Sequence, residues 1–174
     1  MTIDRCEECG FDPADLRPGD MAVAVRSFGR RYRAPLTRGL PDEDLDVVVR
    51  TSPEPGVWSA LQYAGHVADI FTVFDDRVRR ALEGRAPDEA VVDWEERVAQ
   101  APDRSREEVA EALAGASDDL ATTLSELNAD EWDLHGLTGG GREVTVADLA
   151  TIAVHEGSHH LLDVGRVLRS ARGR

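Results

Sequence analysis

Apolar residues recur at three- and four-residue intervals along four stretches of the chain, and clusters of breakers separate the stretches. The first runs from about Asp20 to Thr37, after "RPGD". The second follows "SPEPGVWS", begins near Ala60 and reaches Leu82, with Leu61, Ala64, Val67, Phe71, Phe74 and Val78 on one face. The third opens at "SREE" and reaches about Leu127; the fourth opens at "TVAD" and reaches about Ser170. Three of these starts have the form of a capping box. In it a Ser or Thr side chain accepts from the backbone three residues on, and that residue's side chain reaches back: Ser59 with Gln62, Ser105 with Glu108, Thr145 with Asp148. Four long amphipathic helices predict an all-α four-helix bundle. A short extra helix is expected at about Val92 to Ala99, inside the connection between the second and third. The segment "DLHGLTGGGREV" before the fourth reads as a glycine-rich flexible connection or lid, since it lacks the lysine and the strand–loop–helix setting of a phosphate loop.

The last stretch carries "HEGSHHLLD", with three of the five histidines within six positions. Each helical residue advances ~100° around the axis. With Val146 as reference, the apolar stripe holds Leu149, Ala150, Val164, Val167 and Leu168, and His160 falls inside it at ~320°. Glu156 at ~280° and Asp163 at ~260° sit on its shoulder, while His155 at ~180° leans to solvent and His159 at ~220° is intermediate. Glu156 and His160 are four apart and face the interior together. A buried carboxylate beside a buried imidazole needs compensation, and a divalent ion supplies it. His66 lies at the edge of the second helix's apolar face and is placed to meet them. One imidazole from the second helix plus a Glu/His pair from the fourth makes three protein ligands, which leaves a coordination position open as in catalytic sites. Residues alone leave a rival set open, His66 with His155 and His159, which has the same spacing. Asp69, one turn beyond His66, is expected to be a solvated acid, with support of His66 as the alternative.

Length and composition narrow the setting. At 174 residues the chain is expected to form a single domain over 1–174, with residues 1–19 as an N-terminal extension. It has 20 basic and 34 acidic residues, a net charge of −14, which disfavours nucleic acid as a partner. All the basic residues are arginines. No apolar run approaches the ~20 residues of a membrane span, and the polar, acidic start "MTIDRCEECGFDP" is not of secretory type. A cytoplasmic protein is expected. Cys6 and Cys9 form a Cys-x2-Cys pair, half of a structural zinc site, with no second pair to complete it. Reduced thiols near a mobile terminus are the expectation, ahead of a redox pair or a partial metal knuckle. Trp58, Trp94 and Trp132 are expected to pack in the core or at helix caps. Arg142 and Arg166 are candidates for recognising an anionic ligand.

"GVWSALQYAGHVADI" followed by "HEGSHHLLDVGRVLR" resembles the DinB-like superfamily of four-helix-bundle metalloproteins, which includes thiol-dependent S-transferases and the thiol-dependent maleylpyruvate isomerase. "CEECGFD" is similar to the start of one branch of it. The resemblance implies a triad of His66, Glu156 and His160, with Asp163 as the polar residue behind His160 that serves catalysis by orienting it. Glutamate in the first position of the pair resembles the isomerase branch. The implied function is activation of a low-molecular-weight thiol, mycothiol or bacillithiol, by a divalent metal for S-transfer or isomerisation of an electrophile. Zinc is the first expectation, with nickel, manganese or iron also fitting the ligand set. The alternatives are a non-enzymatic metal- or ligand-binding stress protein, or a metal-dependent hydrolase. A homodimer is conceivable for such a bundle.

Overall fold

The fold is taken from a computed structural model that describes residues 4–85, 92–99, 103–137 and 142–173. Its elements in chain order are α1 (Pro18–Thr37), α2 (Leu45–Arg50), α3 (Ala60–Leu82), α4 (Trp94–Ala99), α5 (Arg106–Ser125), β1 (His135–Leu137), β2 (Glu143–Thr145) and α6 (Val146–Ala171). The four long helices are those of the periodic pattern, and the chain is an all-α four-helix bundle with the short extra helix α4 between the second and third long helices. All three capping boxes are formed on both sides, at Ser59/Gln62, Ser105/Glu108 and Thr145/Asp148. Each therefore fixes the first residue of a long helix and satisfies amide donors that would otherwise be left without partners.

The periodic pattern predicts neither α2 nor the strands β1 and β2, nor the 3-10 turns at Pro13–Asp15 and Asp130–Asp133. The six-residue α2 is too short to display a period, and its start is set by Asp44, whose side chain accepts from the Val47 amide. The expected loop before α6 is instead a two-stranded antiparallel hairpin at its described ends, with His135 opposite Thr145 and Leu137 opposite Glu143. Strands of three residues are too short for alternation to show. Gly139, Gly140 and Gly141, read as a connection or lid, lie outside the described residues.

The bundle's ring order differs from its chain order. The α5 helix packs on both α1 and α3, and α6 packs on both α3 and α1, so the first two long helices stand diagonally. Helices α1 and α5 run antiparallel: Arg26 faces Asp118, and the Arg106 guanidinium reaches the carbonyl of Leu36. Helices α3 and α6 are also antiparallel, with His66 beside His160 at one end. Toward the other end, Gly136 of the hairpin sits between the Arg77 backbone and Leu149. The core between them is filled by Phe28, Tyr32, Leu61, Phe71, Leu113, Leu120 and Leu149, among others, all essentially fully buried. Helix α6 packs closely on α1 at Gly157, where a Cβ would lie 2.5 Å from a Phe28 ring carbon. At the same point the Tyr32 hydroxyl donates to the Gly157 carbonyl at 2.9 Å. Among the described residues no helix is long and apolar enough to cross a membrane.

Candidate metal centre

His66 sits in the second turn of α3, a position fixed by the capping box at Ser59 and by burial of Ala64, Val67 and Ala68 around it. Glu156, His160 and Asp163 project from the middle of α6 on the side facing α3. One ligand-type atom from each of His66, Glu156 and His160 lies within 4.8 Å of the others. His160 Nε2 is 3.2 Å from Glu156 Oε2, and the rings of His66 and His160 are 5.2 Å apart, steeply inclined. For an ion held by nitrogen and oxygen at zinc-like distances, ligand atoms stand ~3.3 Å from one another, so small side-chain movements suffice.

Two observations bear on whether the donor set fits a cation. His66 is 7% exposed, and its Nδ1 is buried without a hydrogen bond among the described residues. Leaving such an atom unsatisfied costs about 1–3 kcal/mol. Burial, seconded by the neighbouring His160 charge, lowers the His66 pKa to about 4, so the ring is a neutral donor at physiological pH. Beside it lies a carboxylate that is kept charged. Burial opposes the charge on Glu156, but hydrogen bonds with His155 and His160 outweigh burial and hold its pKa well below the usual carboxylate range. On His160, burial is likewise outweighed, by hydrogen bonds to Asp163 and Glu156, and its pKa rises to about 9. In the metal-free protein a proton on His160 thus balances Glu156. A neutral imidazole, a carboxylate and a second imidazole able to release that proton suit a divalent ion.

The supporting positions are also defined. Asp163 Oδ2 accepts from His160 Nδ1 at 3.0 Å, the kind of contact that fixes a ligand ring's orientation. The other Asp163 oxygen pairs with Arg166 at 3.1 Å. Asp69 is not a free surface acid: it faces Arg97 of α4 at 4.0 Å and thereby ties α4 to α3. That contact helps place Trp94 edge-on to His66 at 5.2 Å, with Trp58 edge-on at 5.0 Å. Tyr63 lies against His160 at 5.2 Å. These three aromatic side chains wall the site. The sequence held no signal for them, because each is also what a helix cap or core edge looks like. An open cleft of about 260 Å³ adjoins the centre, lined by Pro53, Val57, Tyr63, Asp163, Arg166 and Val167. Arg166 thus borders the site. Arg142 is farther off: it precedes β2, which leads into α6, and the first residue of that helix is already ~15 Å along it from Glu156.

The rival set of His66 with His155 and His159 is not brought together. His155 and His159 turn to the other flank of α6, where they group with Cys6 and Cys9. Nor do they lean into solvent as the wheel suggests, being only 19% and 22% exposed. The N-terminal segment covers that flank, with Phe11 packed on His155 at 5.3 Å. A helical wheel carries no information about such a cover. The Cys6 thiol there has a pKa lowered to about 6, first by the adjacent His155 imidazole and then by the Cys9 backbone.

Among solved structures, the chain is similar to YfiT from Bacillus subtilis, described as a probable metal-dependent hydrolase with an unusual four-helix bundle topology. The TM-score is 0.77 at 13% identity, over 91% of this chain and 92% of that one. It is also similar to the mycothiol-dependent maleylpyruvate isomerase, with a TM-score of 0.71 at 19% identity over 88% of this chain. The chain spans 62% of the isomerase's length. At these identities the likeness is one of fold. No curated protein matches by sequence. The family model of the DinB superfamily matches residues 28–164, most of the bundle and every member of the His66, Glu156, His160 and Asp163 group, and the chain belongs to that superfamily.

Proposed function

We propose that this protein binds one divalent cation through His66, Glu156 and His160 and uses it to activate a small thiol for S-transfer to, or isomerisation of, an electrophilic substrate. The observation that carries the reading is the three-donor group, buried at His66 and half-buried at Glu156 and His160, with His66 Nδ1 unpartnered and with its supporting residue Asp163 lining a cleft that Arg166 borders. A divalent ion with a free coordination position lowers the pKa of a thiol or water that it binds. The chain's own groups do the rest. Asp163 holds the His160 ring in place, and Glu156 supplies negative charge in a half-buried setting. Trp58, Trp94 and Tyr63 exclude water around the ligands. Arg166 offers a guanidinium to a carboxylate on the thiol or the substrate. The similarity to a mycothiol-dependent isomerase supports a thiol of that type. The similarity to a protein described as a probable metal-dependent hydrolase supports a second reading, in which water takes the open position.

Adding mycothiol to the cobalt-substituted protein separates the two. A thiol entering the open position changes the ligand-field spectrum and adds a sulfur-to-cobalt transition that His66→Ala abolishes. A spectrum unchanged at saturating thiol would leave the hydrolytic reading as the better one.

A further inference from the structure

The two cysteines and the two remaining α6 histidines meet on the adjoining flank of that helix, under the N-terminal segment, and none of the four is used by the proposed function. Cys6 and Cys9 are both free and half-buried. The turn that carries them is closed by two backbone bonds, from the Cys6 amide to the Phe11 carbonyl at 2.8 Å and from the Gly10 amide to the Cys6 carbonyl at 2.9 Å. Gly10 makes the turn with φ +73°, a left-handed conformation that glycine adopts at least cost. Such a turn sets both sulfurs on one side. Facing them, His155 and His159 are four residues apart on α6 and project from one face. Cys6 Sγ is 3.5 Å from His159 Nδ1. One ligand-type atom from each of the four side chains lies within 4.8 Å of all the others.

We propose that Cys6, Cys9, His155 and His159 form a second metal site, a closed Cys2His2 centre that takes zinc and fastens the N-terminal segment to α6. The spacing is Cys-x2-Cys with His-x3-His, both within the ranges found in structural zinc sites. With Zn–S ~2.3 Å and Zn–N ~2.0–2.1 Å, a tetrahedral S···N edge is ~3.6 Å, and the Cys6–His159 separation is already 3.5 Å. The other nitrogen of each ring faces carboxylates within 3.7 Å. His159 turns Nε2 toward Asp163 at 3.6 Å and Glu8 at 3.7 Å. His155 turns Nδ1 toward Glu156 at 3.5 Å, while its Nε2 is buried with no hydrogen bond among the described residues. Carboxylates behind a ligand histidine fix its tautomer and direction. A simple dithiol–disulfide pair leaves the convergence of two imidazoles without a purpose. Four protein ligands leave no open position, so this ion is structural.

The test uses the full chain, purified with a phosphine reductant and no added thiol, and loaded with cobalt(II). The chain has two cysteines, so any thiolate-to-cobalt charge-transfer band reports them alone. The band is expected in the unmodified protein, is kept in His66→Ala, and is lost in the Cys6→Ser/Cys9→Ser double variant. Zinc content is expected to fall from two ions per chain to one in either variant, so this site and the open one succeed or fail separately. In the unmodified protein, zinc is expected to reduce the thiols that react rapidly with a disulfide reagent from two to none, and a chelator to restore them. A cobalt protein without the charge-transfer band, or thiols that react equally fast with and without zinc, overturns the proposal without any variant having to fold.

Discussion

His66 shows how one residue's surroundings narrow what it can do. Its ring is enclosed by two tryptophans and a second imidazole, it is neutral, and one of its nitrogens bonds to nothing described. Replacing it with alanine is expected to remove the ion of the open site while leaving the thermal unfolding of the chelator-treated protein little changed, as checked by elemental analysis and circular dichroism. Asp163→Asn keeps the shape but weakens the support of His160, and about a 10–100-fold loss of metal affinity is expected in chelator competition. The His160 charge also gives a pH signature in metal-free protein. Its pKa is raised from 6.5 to about 9 on folding, so the native state holds that proton more tightly than the unfolded chain. The stabilisation is complete below pH 6.5 and is lost as pH rises through about 9. Cys6, whose pKa is lowered, runs the other way over part of that range, so the useful quantity is a difference between proteins that both carry it. The gap in melting temperature between chelated wild type and chelated His160→Gln is expected to shrink between pH 6.5 and about 9; a constant gap would show that the ion pair contributes nothing. At this scale the interior direction of Glu156 and His160 was legible from helical angle alone. The directions of His155 and His159 were not, because what covers them comes from the far end of the chain.

Among the elements, the helix starts were the most legible feature, since a capping box is a local device that needs only four residues. Thr145→Ala is expected to cost about 1 kcal/mol by removing one such cap at the head of α6. The hairpin and α2 were illegible for the opposite reason: three paired residues or six helical ones present no period. One close contact between elements was also silent in the sequence. Gly157 reads as an ordinary helical glycine, yet a Cβ there would meet the Phe28 ring at 2.5 Å. Gly157→Ala is expected to destabilise the fold by about 1–3 kcal/mol, lowering the melting temperature by several degrees. Relief of that loss by Phe28→Leu in the same chain would identify the ring contact as the cause.

For the molecule as a whole, period shows which face of a helix is apolar but not which helix it meets. The diagonal placement of α1 and α3 is therefore a tertiary property that the pattern does not carry, whereas the bundle class is one that it does. The charge of −14 acts at this scale too. It concentrates cations near the surface, so cobalt uptake followed in a stopped-flow spectrometer is expected to slow as ionic strength rises. An uptake rate indifferent to salt would mean that local geometry alone governs entry. The clamp at Gly157 has a further bearing on the ion. Glu156 is its immediate neighbour, and the backbone there is gripped from α1 by the Phe28 ring and the Tyr32 hydroxyl. That side of the cage cannot give way to accommodate cations of different radius. Any adjustment falls to the His66 ring, which rides on the capped helix α3 and is hemmed in by the edges of Trp58 and of Trp94 from the six-residue α4. Discrimination between a small and a large ion would then be set by how far α4 and the tryptophans yield, and substitutions there would retune metal preference without touching a single ligand.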